Sequence, residues 1–128
     1  MILLGLIVAG AVGAVLRYAV DHLIQQRGLI QGRSRSDFPV GILVVNVSGS
    51  LLLGVVIGSS LHHGVSPYWV TVAGTGLLGA YTTFSTFAFD TNALLERRRW
   101  RPAVANVVVS LGAGVGAAAL GLALGSLT

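Results

Sequence analysis

The residues that could do chemistry in this chain are neutral and set in apolar surroundings. Asn46, Ser50, Gly54 and Gly58 recur every four positions, and so do Asn106, Ser110 and Gly114, which puts each set on one face of a helix. Between them runs Gly74-Thr-Gly-Leu-Leu-Gly-Ala-Tyr-Thr-Thr-Phe-Ser-Thr-Phe87, in which glycines lead into the hydroxyls of Thr82, Thr83, Ser85 and Thr86 and the rings of Phe84 and Phe87. Amides and hydroxyls donate hydrogen bonds without a net charge, and the rim of an aromatic ring is weakly positive. Phe84 and Phe87, three apart, share one helix face; Thr83, Thr86 and Asp90 share another. Neutral donors and ring edges together can replace the hydration water of a small anion. The blander readings are interhelical hydrogen bonding for the Asn and Ser residues and core packing for the rings. The hydroxyls beside the rings favour an ion path.

Other chemistries are excluded. The chain has no cysteine, so it has neither a disulfide framework nor a thiolate site. His22, His62 and His63 have no ligand spacing with carboxylates and read as interfacial residues. No Ser-His-Asp set, phosphate loop or zinc motif is present, and an enzyme is not expected. Arg17 and Asp21, four apart, read as a structural pair.

The elements that must position these residues are membrane spans. The 128 residues are 54% hydrophobic and 9% charged, with a mean hydropathy of +0.84; soluble domains carry about 25% charge. Residues 1–16, 38–89 and 102–128 hold no charged side chain, and a bilayer core takes about 20 apolar residues per helix. Four transmembrane helices are expected, at approximately 2–24, 38–61, 68–97 and 102–126, in a single all-α transmembrane domain. Pro102 suits the first turn of the fourth, and residues 62–67 form a short link. The first span lacks the basic flank of a signal peptide, so it is expected to be retained. The pairs Gly54/Gly58, Gly112/Gly116 and Gly121/Gly125 have the spacing that lets helix backbones approach closely in lipid. Four helices make a thin bundle, and these pairs favour an oligomer.

Span three should break at mid-membrane. Glycine and β-branched threonine are weak helix formers, and irregular backbone at that depth persists only where protein covers it or it lines a cavity. A break would free carbonyls able to hold a cation, as in unwound transporter helices.

The net charge of +4 is eight arginines against four carboxylates. Arg27, Arg33 and Arg35 lie in the link at 25–37, and Arg97, Arg98, Arg99 and Arg101 in or beside the link at 97–101, with Arg17 near the same side. The opposite side, with both termini and His62-His63, has neither Lys nor Arg. Basic loops stay cytoplasmic, so both links are expected inside and both termini outside the plasma membrane. The charge is therefore an orientation signal, and nucleic acid is not an expected partner.

The run Gly79-x-x-Thr-Thr-Phe-Ser-Thr-Phe87, with Gly10-x-x-Gly13-x-x-x-Arg17 and the Asn46 segment, closely resembles the Fluc (CrcB) family of fluoride ion channels across nearly the whole chain. The resemblance implies an antiparallel dimer with two fluoride pores, embedded in lipid, and a central structural sodium ion. It implies that Phe84 and Phe87 line the pores, that Asn46 contacts the same path, and that Asn106 and Ser110 belong to a polar track on span four. It further implies that backbone carbonyls of Gly79 and Thr82, from both subunits, hold the sodium, and that Arg17 is a structural or vestibule residue. The function implied is passive export of cytoplasmic fluoride, relieving its toxicity. This chain departs from the family pattern at Ala80 and Tyr81, where glycine and an aliphatic residue are usual. It departs again in span four, where an aromatic is common at the position of Asn106 and hydroxyls at those of Gly114 and Ala118.

Two rival functions stand beside this. A small proton-coupled exporter would need a buried carboxylate, and Asp90 is the candidate. A non-conducting subunit would serve only to complete a dimer. The charge bias also bears on the partner. A subunit that pairs with its own inverted copy must insert both ways, whereas eight arginines against none fixes one orientation. An inverted heterodimer with a homologous subunit is therefore favoured over a homodimer.

Overall fold

A computed structural model describes residues 1–27 and 38–127, and at 25–27 it describes the backbone alone. All regular structure among the described residues is helical. The side chains of Arg27, Arg33 and Arg35 lie outside the described residues.

Helix α1 spans Ile2–Arg27 and α2 spans Val40–His63. The third segment is composite. It opens with α3, Pro67–Val70, widens into a π-helical stretch, Thr71–Leu78, and closes with the single turn α4, Gly79–Tyr81. Helix α5, Phe84–Glu96, follows after two extended residues, Thr82 (φ −78°, ψ 158°) and Thr83 (φ −147°, ψ 124°). Helix α6 spans Trp100–Leu127. Stretches within α1 (Ile2–Ile24), α2 and α6 are each long and apolar enough to cross a membrane; the third segment has no single helix of that length. Helix α6 begins at Trp100, two residues before the expected start at Pro102. The helix tolerates this because first-turn N–H groups have no intrahelical acceptor, so proline there removes nothing.

The bundle packs by close backbone approach. Gly54 and Gly58 of α2 face Gly121 and Gly125 of α6, and a Cβ on any of the four would run into the other helix's backbone. Nothing lies within 4 Å of a Cβ at Gly112 or Gly116. Two of the three glycine pairs are therefore used within the chain, which corrects their reading as evidence for an oligomer. Helix α1 packs on the π-helical stretch in the same way, with Gly13 against the Leu77 carbonyl and Gly76 against Ala9. The buried apolar set is small, namely Ile42, Val45, Leu78, Leu94 and Ala103, while Val108, Leu111, Val115 and many other large apolar side chains are exposed. Such an apolar exterior is the surface that lipid or another apolar helix covers.

The two ends of the bundle differ. At one, Gly5 meets Tyr68 and the His63 ring lies 3.3 Å from the Ser126 carbonyl, which gathers the N-terminus, the short link and the end of α6. That link turns at Gly64, whose φ of 67° suits a residue without a Cβ. At the other end, Asp21 packs on Gly41, and Arg97, Arg98 and Arg99 join α5 to α6.

Candidate ion-conduction site

A cavity of about 300 Å³ opens where α2, the third segment and α6 meet. Asn46, Ser50 and Leu53 line it from α2; Gly74, Leu78, Gly79, Thr82, Thr83, Phe84 and Phe87 from the third segment; Ser110, Leu111 and Gly114 from α6. None of these side chains is charged.

The break in the third segment is held by α2. The Asn46 amide donates from Nδ2 to the Thr83 carbonyl at 3.0 Å, and its Oδ1 accepts from the Thr83 N–H at 2.9 Å. The two bonds fix which amide atom faces which partner, since an N–H only donates and a carbonyl only accepts. Thr83 is 7% exposed, and leaving its backbone groups unpaired would cost about 1–3 kcal/mol each. Asn46 thus supplies the bonds that the interrupted ladder lacks. Beside it, Ser48 donates to the Val44 and Val45 carbonyls and lies 2.9 Å from the Tyr81 hydroxyl. Gly49 leaves room for the Tyr81 ring and the Thr82 methyl. Three neighbouring positions of α2 therefore grip residues 81–83.

Local bonds define both edges of the break. The Thr82 N–H and hydroxyl both donate to the Leu78 carbonyl, at 2.9 Å each, closing the first helix. The Thr83 hydroxyl accepts from the Thr86 N–H at 3.3 Å and caps α5, with the Ser85 and Thr86 hydroxyls 3.2 Å away. This corrects the expectation that Thr83, Thr86 and Asp90 share a helix face. Thr83 precedes the helix in extended conformation and reaches Thr86 as a cap. Asp90 lies half-buried on α5 and does not line the cavity.

Beyond the cap, Phe84 and Phe87 stand with centroids 5.6 Å apart and planes tilted by 46°. Phe84 is 78% exposed and both rings line the cavity. On α6 the two expected track residues separate. Ser110 lines the cavity, whereas Asn106 is 1% exposed and is not among the lining residues. Asn106 donates to the Thr91 hydroxyl at 2.8 Å, Thr91 donates to the Phe87 carbonyl at 2.8 Å, and Ser110 donates to Asn106 Oδ1 at 3.3 Å. Thr91, Ser48 and Tyr81 were not singled out as site residues. Thr91 sits in a stretch that reads as an ordinary charged helix end. Ser48 lies two positions from Asn46, off the four-residue face. Tyr81 stood out only as a departure from the family pattern.

Gly79 is exposed and Thr82 half-buried, on the wall of the same cavity. Arg17 is half-buried on α1 and does not line it. Among the described residues no group of three or more His, Cys, Asp or Glu could hold a metal ion.

Long apolar helices around a polar but uncharged cavity define a multi-pass membrane protein with the means to solvate a small ion. The family is shown by the sequence itself. Residues 4–122 match the family described as CrcB-like protein, Camphor Resistance (CrcB), and the chain belongs to it. It is 39% identical over 127 residues to the "Fluoride-specific ion channel FluC 1" of Leifsonia xyli subsp. xyli, covering 99% of this chain and 88% of that protein. It is 43% identical to the "Fluoride-specific ion channel FluC 2" of Mycolicibacterium paratuberculosis, covering 96% and 93%. To the "Fluoride-specific ion channel FluC 1" of Symbiobacterium thermophilum it is 46% identical, covering 92% of each.

Proposed function

We propose that this chain is a subunit of a fluoride-selective channel that lets cytoplasmic fluoride leave passively. The carrying observation is the uncharged cavity whose wall combines an amide, hydroxyls and two aromatic rings at an interrupted helix. Fluoride is small and strongly hydrated, so a filter must replace its water. Neutral donors do this without holding the ion too tightly to leave. The names of the relatives, fluoride-specific ion channels, agree with this reading. Asp90 carries no step in it.

The finer architecture belongs to the same proposal. The break at Thr82–Thr83 sits at mid-membrane, and the subunit completes its pores in an antiparallel pair with a homologous partner of opposite charge bias. The basic end faces the cytoplasm of the plasma membrane and both termini face outward. What supports this is the distribution of arginines along the sequence and the thin, externally apolar bundle.

A structural sodium ion fits the residues at the break. Helix α4 ends at Tyr81, and a helix end leaves its last carbonyls outside the ladder. Gly79 is exposed there, and a hard cation prefers such oxygen donors. The carbonyls of Gly79 and Thr82 would hold it, and it would supply positive charge beside the end of α4.

Liposomes loaded with fluoride or chloride test the function. Purified chain, alone or with a homologous subunit, is expected to release fluoride and retain chloride. Absence of fluoride release with every partner would overturn the reading. Release that requires a pH gradient and fails in Asp90→Asn would favour the exporter. Release unaffected by Phe84→Ile in a mixed dimer would reduce the chain to a non-conducting subunit.

A further inference from the structure

The hydrogen bonds linking α5 to α6 fix where each proton points. The Phe87 carbonyl can only accept, so the Thr91 hydroxyl gives its proton there, at 2.8 Å. Thr91 Oγ1, 2.8 Å from Asn106 Nδ2, can then only accept. That sets the Asn106 amide with Oδ1 toward Ser110, 3.3 Å away. Ser110 has one hydroxyl proton, and Asn106 takes it. What remains on Ser110 Oγ, on the cavity wall, is acceptor capacity alone, and lone pairs repel an anion.

We propose that the buried Asn106 competes with the passing anion for the Ser110 proton, and that Thr91 sets the strength of the competition by holding the amide in place. This rests on the fluoride reading and deepens it. Asn106 lies outside the path, yet it decides whether the Ser110 hydroxyl meets an anion as donor or as acceptor. The Ser110–Asn106 bond is the long member of the chain, at 3.3 Å against 2.8 Å for the other two, and so the easiest to exchange. An arriving anion draws the hydroxyl round and leaves Asn106 Oδ1 unpaired in a buried site. When the anion moves on, the proton returns. Asn106 and Thr91 are positioning residues that act through Ser110. Their removal releases the Ser110 proton to the cavity.

Two measurements test this on the full chain in lipid. The first needs no permeation, only the ¹³C resonance of the Asn106 side-chain carbonyl in nanodiscs. Ser110→Ala is expected to move that resonance in the direction of a lost hydrogen bond, and sodium fluoride is expected to move the wild-type resonance the same way while sodium chloride does not. No movement in Ser110→Ala shows that the proton is not given to Asn106, and the inference falls. The second is fluoride efflux from liposomes. Asn106→Leu and Thr91→Val are each expected to speed efflux by about threefold, a change of roughly 0.65 kcal/mol in barrier. Neither is expected to speed it in a Ser110→Ala background. Slower efflux in both variants, or equal effects with and without Ser110, overturns the inference. If wild type releases no fluoride with any partner, the fluoride reading itself has failed, and the response of the carbonyl resonance to Ser110→Ala alone decides whether the proton is held by Asn106.

Discussion

Helix α2 makes two contacts of opposite kinds. Its C-terminal half meets α6 through Gly54 and Gly58, backbone against backbone. Its N-terminal half meets the third segment through Asn46, whose amide bonds the extended Thr83 backbone, and Ser48, whose hydroxyl meets that of Tyr81. The first contact is dispersion over closely apposed surfaces, tolerant of chemistry and intolerant of volume. The second adds to the close approach at Gly49 a small number of directed bonds, intolerant of a change in chemistry. A scaffold that must not move is built by the first; a backbone that must stay open at one place is held by the second.

The contrast can be broken at several points. Gly121→Val places atoms where the Leu51 carbonyl and Val55 N–H now lie, and overpacking of this kind costs about 1–3 kcal/mol or more. It is expected to give the largest loss, seen as a collapse in the yield of folded protein or a large drop in thermal stability. Asn46→Leu keeps the shape and removes both bonds to Thr83. Efflux of fluoride is expected to fall at least about tenfold, as a loss of roughly 1.4 kcal/mol implies, with folded yield less affected than in Gly121→Val. A larger folding loss for Asn46→Leu than for Gly121→Val would reverse the comparison. Thr83→Ala deletes the cap of α5 and is expected to cost about 1 kcal/mol in thermal or denaturant unfolding, with Thr83→Ser restoring most of it. Tyr81→Phe keeps the ring beside Gly49 and loses only the bond to Ser48, about 0.6 kcal/mol by the average for such bonds in membranes; a small shift in the melting temperature checks it. Gly112→Ala, into open space, is expected to change the stability of the isolated subunit by less than about 0.5 kcal/mol. A larger loss confined to the dimer would place Gly112 at the subunit contact.

Much of the architecture was legible because the bilayer imposes a coarse rule. Apolar runs of sufficient length become helices, and Gly and Thr clusters weaken them. Periodicity put Asn46 and Ser110 each on a polar face of its own helix, and both line the cavity. It read Asn106 less well, because residues four apart share a helix face without sharing a neighbour. Ser110 reaches the cavity while Asn106 turns into the α5 contact. Thr83 escaped helical periodicity because it is not in a helix. The grip of Tyr81 on Ser48 was hidden for a different reason: it joins residues 33 apart in sequence, and no local pattern encodes which hydroxyl of one helix another will meet. The glycine pairs were legible as contacts but not as to whose. Inside the chain Gly54 and Gly58 find Gly121 and Gly125, and nothing in their spacing distinguishes that from a contact between subunits.

The charge-free stretch from 38 to 89 also decides how the protein meets the membrane voltage. A field across the bilayer does work of about 2.3 kcal/mol per elementary charge per 100 mV, and it can do that work only on charges that traverse it. With uncharged walls around the cavity, the electrical force along it falls on an ion inside and not on the lining side chains. Conduction should follow the driving force on the ion, while the conformation stays indifferent to voltage: a leak whose rate the membrane potential sets and whose opening it does not control.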